Sequence, residues 1–93
     1  MAGIEKNLTY HVSGPMLHLV ISSVSESLYD GPAISATLPG SAGEMTILPN
    51  HEPLVTTLKA GKIIVRIPNA EPKEFIIENG VLETSGTRAV VLV

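Results

Sequence analysis

Apolar and polar side chains alternate with a period of two over most of this chain, a pattern that builds strands and not helices. Leu17, Leu19 and Ile21 alternate with His18 and Ser22, and Ile34, Ala36 and Leu38 with Ser35 and Thr37. Ile63, Val65 and Ile67 oppose Lys62 and Arg66, while Phe75 and Ile77 oppose Glu74 and Glu78. Residues 87–93 are rich in β-branched side chains. Successive side chains of a strand point to opposite faces, so each segment carries one apolar and one polar face. The i, i+3, i+4, i+7 spacing of an amphipathic helix is sustained nowhere. Gly and Pro cut the pattern at short intervals. Asp30-Gly31-Pro32, Pro39-Gly40, Pro49-Asn50, Pro68 to Pro72 and Ser85-Gly86 all read as turns. The last is short enough for a tight hairpin loop. Many short strands with regular turns predict an all-β, antiparallel sandwich or barrel.

The 93 residues make one domain. Residues 16–93 read as a single unit without repeat, linker or low-complexity segment. Residues 1–15 differ: they are polar and Gly-containing, with one short strand candidate at Tyr10-His11-Val12 broken by Ser13-Gly14-Pro15. Two readings stay open for them, a native extension or residues appended ahead of a native Met16. Either way they are expected to be the least ordered part.

So short a chain buries a modest core and gains from a further support. Cysteine is absent, which removes disulfides and fits a reducing compartment. His11, His18 and His51 are far apart and have no companions at metal-ligand spacing. A partner protein is the support that remains. Nucleic acid is excluded as that partner by a net charge of −3, dispersed basic residues, one Phe and no Trp. No apolar run approaches the ~20 residues that span a bilayer, and no basic start precedes an apolar stretch as in a signal peptide. Direct membrane insertion is therefore not expected. Asn7-Leu8-Thr9 matches a glycosylation acceptor, a triplet frequent by chance.

The candidate chemistry is thin. Gly40-Ser41-Ala42-Gly43 has the composition of a phosphate loop, but Glu44 stands where such a loop needs Lys, and a strand follows where it needs a helix. It reads as a surface turn. His51-Glu52 are adjacent on an extended segment and so point apart, with no nucleophile in a recognisable turn. Glu44 and Glu52 as paired carboxylates would need an aromatic-lined cleft that the composition does not supply. Tyr29 and Phe75 read as core or core-edge residues. No catalytic residue, cofactor or metal emerges. Asn50-His51-Glu52-Pro53, with Pro49 and Pro53 fixing the backbone on both sides, reads as a rigid presented loop.

The run from Leu38 to Leu54, with Pro39-Gly40, Gly43-Glu44 and then Leu48-Pro49-Asn50-His51-Glu52-Pro53-Leu54, resembles the signature of F-type ATP synthase epsilon subunits. In that family a Pro-Gly and a Gly-Glu precede a strand ending in Leu-Pro-Gly-His-x-Pro-Leu. Thr57 to Ile63 continues the match, Leu17-His18-Leu19 and Leu28-Tyr29-Asp30-Gly31 match the opening strand and first hairpin, and Asn79-Gly80-Val81-Leu82-Glu83 matches a later turn. Asn50 stands at the family's usual glycine, and Asn tolerates a left-handed backbone. Asn79 and Val81 replace a glycine and an aromatic. The chain stops at Val93, whereas the typical member continues into a two-helix domain bearing regulatory inhibition and, in some members, ATP binding. Neither property is carried over.

The resemblance implies a ten-stranded β-sandwich in the central stalk, a non-catalytic rotor subunit. It would bind the gamma subunit and the ring of membrane c subunits and help couple proton flow to ATP synthesis. It would be a peripheral protein on the cytoplasmic side of a bacterial inner membrane, or of an equivalent energy-transducing membrane. Gly43, Glu44, Pro49, Asn50, His51 and Pro53 would lie together at the ring-facing edge, Glu44 reaching a polar loop of the ring and His51 adding a pH-sensitive hydrogen bond. Two other readings are a stand-alone β-sandwich adaptor and a small hydrolase built on a barrel.

Overall fold

The structure, a computed structural model, describes residues 16–93, with His51 described in its backbone alone. The expectations for residues 1–15, including the strand candidate at Tyr10-His11-Val12, lie outside the described residues. Nine strands follow one another without a helix: β1 (Leu17–Ser22), β2 (Ser27–Ala33), β3 (Ser35–Gly40), β4 (Gly43–Ile47), β5 (His51–Leu58), β6 (Gly61–Arg66), β7 (Lys73–Ile77), β8 (Gly80–Gly86) and β9 (Arg88–Leu92). They are hydrogen-bonded in the order β2-β1-β9-β8-β5-β3-β6-β7, with β4 on the free edge of β3. The path folds over where β5 meets β3 through the single register pair Gly40↔Leu58. One layer is then β2-β1-β9-β8-β5 and the other β4-β3-β6-β7, the expected sandwich. All pairings are antiparallel except one: β1 runs parallel to β9, from His18↔Arg88 to Ser22↔Leu92.

The alternation does what the sequence requires. Leu17, Leu19, Ile21, Leu38, Ile47, Ile63, Val65, Leu82 and Val91 are fully buried between the layers. The polar side chains that alternate with the apolar ones, His18, Lys62, Arg66 and Glu74, face water. Burying one such side chain is worth about 1.5–3 kcal/mol, so this interior is the fold's main support. On one side the gap between the layers is closed by Tyr29 of β2 against Phe75 of β7, ring centroids 6.3 Å apart and tilted by 59°. These are the core-edge roles expected of them. Burial pushes the Tyr29 phenol above its ordinary pKa, and its O–H donates to the Pro32 carbonyl at 2.6 Å.

Two expected turns are strand. Asp30-Gly31-Pro32 lies inside β2, paired with Val20, Leu19 and His18. Pro32 is tolerated because β2 is an edge strand, paired on one side alone. Pro39-Gly40 ends β3, and the turn falls one residue later at Ser41-Ala42. The Pro39 carbonyl accepts from the Lys59 N–H at 2.9 Å, on the side where the β6 ladder has already stopped at Thr37. No ladder donor is needed there. The Pro49-Asn50 and Pro68 to Pro72 turns form as expected, while the expected Ser85-Gly86 loop falls one residue later because Ser85 pairs with Arg88. Asn50 is left-handed at φ 66° and Gly86 at φ 62°. Gly86-Thr87 closes a two-residue hairpin with glycine first, as a type II′ turn requires.

Candidate functional site

Two turn clusters carry the candidate residues, and the strand register fixes where each lies. The first surrounds Gly43 and Glu44. Ser41 anchors the β3–β4 turn to β5: its N–H and hydroxyl both donate to the Thr57 carbonyl, at 3.0 and 3.1 Å, and its Oγ shares a 2.7 Å hydrogen bond with Thr57 Oγ1. Gly40 is buried, and a Cβ there would stand 2.7 Å from the Gly43 carbonyl oxygen. Gly43 itself, at φ 143°, holds a backbone that other residues rarely adopt. Glu44 is therefore strand, not loop. It is the second residue of β4, opposite Pro39, exposed on an edge, and without an ion pair among the described residues.

The second cluster is Pro49, Asn50, His51 and Pro53. Pro49-Asn50 turns the chain into β5, where His51 pairs with Gly86. The register then slips by one residue before Leu54↔Thr84. Pro53 has no N–H to give the ladder, and a bulge absorbs it. The buried Thr84 hydroxyl donates to the Glu52 carbonyl at 2.9 Å and ties the bulge to β8.

The structure does not bring these two clusters together. β4 runs from Gly43 in the first cluster to Ile47, about 13 Å at ~3.3 Å per residue, and the second cluster begins beyond its far end. Glu44 sits near Thr57 and Leu58, at one end of β5, while His51 begins the other end of that eight-residue strand. The expected placement of all six residues on one edge is corrected accordingly. Consecutive turns joined by a single strand fall at opposite ends of a sheet. The same separation removes Glu44 and Glu52 as a carboxylate pair.

Catalytic geometry is not found among the described residues. A groove of about 590 Å³ is lined by residues that include Ile34, Ile67, Pro72, Arg66 and Glu71, a single carboxylate with no nucleophile beside it. No cluster of three or more His, Cys, Asp or Glu side chains among the described residues could hold a metal ion. No described helix is long and apolar enough to cross a membrane. What the surface offers is contact. Val55, Ile76, Val81 and Leu92 are exposed at 68%, 75%, 40% and 55%. Sequence reasoning passed over these residues, although a signal was present: Ile76-Ile77, Val81-Leu82 and Val91-Leu92 are adjacent apolar pairs within strands, and a strand must turn one of each pair outward. Val81, at the family's aromatic position, faces out, so the core does not depend on it.

Comparison with known proteins gives this surface a context. The sequence model of the family described as "ATP synthase, Delta/Epsilon chain, beta-sandwich domain" matches residues 16–93. Among curated proteins, the ATP synthase epsilon chain of Nitrosomonas eutropha is 35% identical over 79 residues, covering 85% of this chain and 56% of that one. That of Stenotrophomonas maltophilia is 39% identical over 72 residues, covering 77% and 51%. The chain thus spans about half the length of these relatives. Among solved structures, a chain of the Euglena gracilis mitochondrial ATP synthase, determined with OSCP, F1 and c-ring, superposes with a TM-score of 0.80 at 20% identity, covering 86% of this chain and 51% of that one. A chain of the Tetrahymena thermophila central stalk and c-ring gives 0.70 at 12% identity, covering 83% and 62%. At these identities the structural likeness shows the fold.

Proposed function

We propose a function from the premise that this chain belongs to the family of ATP synthase delta/epsilon-chain β-sandwich domains. It is a non-catalytic rotor subunit in the central stalk of an F-type, proton-translocating ATP synthase, with no active site and no cofactor of its own. It binds the gamma subunit and the c-subunit ring, and it helps couple proton flow to ATP synthesis mechanically. Its place is peripheral, on the cytoplasmic side of a bacterial inner membrane or an equivalent energy-transducing membrane. The family match over residues 16–93 carries this reading.

The architecture suits a part that transmits torque. A coupling element must move as one body, and here every strand is hydrogen-bonded into one continuous network. Close backbone approaches stiffen the point where the layers join: Cβ atoms placed on Gly40 and Gly61 would collide with the Gly43 carbonyl and with Pro39. We assign the ring contact to the end that carries Gly43 and Glu44. Pro49, Asn50, His51 and Pro53, at the far end, take no part in it. Glu44 is free to meet a basic or amide group on a polar ring loop. Exposed pairs of this kind contribute about 0–1 kcal/mol, so their value lies in register more than in affinity.

Cysteine cross-linking in the assembled enzyme tests the assignment. A cysteine replacing Glu44 should form a disulfide with one in the polar loop of the c subunit. A cysteine replacing Glu74, on the outer surface of β7, should not, nor should one replacing Pro53. Equal cross-linking at the three positions, or none at Glu44, would refute the placement.

A further inference from the structure

The turn from Pro68 to Pro72 has no part in the contacts assigned above, and it walls the groove of about 590 Å³. Prolines fix φ at both of its ends, and Asn69 between them holds a left-handed backbone at φ 59°. The floor is tied as well. The Ile34 N–H donates to the Arg66 carbonyl at 2.7 Å, and Ser35 pairs with Arg66 where β3 starts beside the end of β6. Wall and floor thus stand in place before anything binds, which lowers the ordering cost of binding.

The lining selects a ligand. Ile34, Ile67 and Pro72 give an apolar surface, with Ile34 and Ile67 half-buried. Arg66 and Glu71 line the same groove. Both are exposed, and neither forms an ion pair among the described residues. A purely anionic ligand would satisfy Arg66 and be repelled by Glu71; a purely cationic one would do the reverse. A ligand with one carboxylate and one ammonium satisfies both. Its body must be aliphatic, because none of the described residues lining the groove is aromatic and could stack against a base or ring. A nucleotide fits poorly for the same reason, and its phosphates would meet Glu71. The volume lies within the ~300–1,000 Å³ of small-molecule sites, ample for a molecule of two residues.

We propose that this groove is a binding site for a short aliphatic peptide in its zwitterionic form, with its carboxylate on Arg66, its ammonium on Glu71 and its side chains on Ile34, Ile67 and Pro72. The site goes beyond the rotor reading and does not depend on it. β3 begins beside the groove and ends at Gly40 beside Gly43. A bound peptide therefore lies at the far end of the sandwich from Glu44 and leaves the assigned ring contact open.

The test is a titration of the isotope-labelled 93-residue chain with leucylleucine, followed through the backbone amide resonances. The zwitterion should shift the amides of Ile34, Ile67, Asn69 and Ala70 at millimolar concentration and leave those of Gly43 and Glu44 in place. Capping either end of the peptide, with an N-acetyl group or a C-terminal amide, should weaken binding by about two- to fivefold, the worth of one exposed ion pair. Arg66→Gln should abolish the preference for the acid over the amide. Glu71→Gln should abolish the preference for the free amine over the acetylated one. The capped peptides make the comparison on the unaltered chain, so the test does not hang on either variant folding. Absence of shifts at the groove, shifts centred elsewhere, indifference to either cap, or a preference that survives its variant overturns the proposal.

Discussion

Replacing Gly40 with alanine should loosen the join between the two layers. The added Cβ would stand 2.7 Å from the Gly43 carbonyl oxygen and 3.1 Å from Met45 Sδ. The sulfur can swing aside, but the carbonyl is backbone. Gly40 pairs with Gly43 on one side and Leu58 on the other, so moving either strand disturbs the point where β3 joins β5. Overpacking of this kind costs about 1–3 kcal/mol. The smaller conformational freedom of alanine in the unfolded chain offsets about 0.4–1 kcal/mol. The net expectation is a loss of roughly 1–2 kcal/mol, which at about 4–8 °C per kcal/mol for a domain of this size lowers Tm by roughly 4–16 °C. Thermal unfolding followed by far-ultraviolet circular dichroism measures it. Adding Met45→Ala should not restore the parent Tm, because the nearer obstacle is the carbonyl. An unchanged or raised Tm for Gly40→Ala, or full recovery in the double variant, would refute the steric argument.

Three further outcomes follow from particular residues. Asn50 holds a left-handed backbone, so Asn50→Ala should cost roughly 1–2 kcal/mol and Asn50→Gly almost nothing in chemical denaturation; equal losses would contradict this. Burial raises the Tyr29 pKa above 10.0, so its folded value lies above its unfolded one; its contribution is whole below about pH 10 and fades as pH rises through the folded value. The stability difference between the parent and Tyr29→Phe should therefore shrink on the alkaline side, and a difference independent of pH would count against the assignment. The 93-residue chain should not bind ATP in titration calorimetry, because Gly40 to Gly43 closes a two-residue hairpin that leads into a strand, with Glu44 beside it; micromolar binding would overturn that reading.

The faces of the strands were legible in the sequence, and their partners were not. Leu17, Leu19 and Ile21 announce an inward face, but no period tells that β1 will run parallel to β9. Pro32 and Pro39 look like breakers in a linear reading, because only the fold shows that one lies on an edge and the other at a gap between two ladders. The turn at Asn50 was readable from the tolerance of Asn for a left-handed backbone. The expected grouping of Glu44 with His51 came from resemblance. It ignored a simple geometric rule, that the strand Met45–Ile47 must separate the turns on either side of it. The apolar outer face was written in doublets such as Val81-Leu82, and an inventory of buried positions overlooks them because only one member of each pair is core.

Association with gamma is the measurement that bears most directly on the account. The purified chain and a gamma subunit of the same enzyme family, mixed in equal amounts and separated by size exclusion, should elute together as a one-to-one complex. That complex should then join the c-ring in detergent, with Glu44→Lys weakening ring association by no more than about fivefold, in line with an exposed pair worth about 0–1 kcal/mol. Separate elution of the two proteins at concentrations well above micromolar would contradict the assignment of this chain to the rotor.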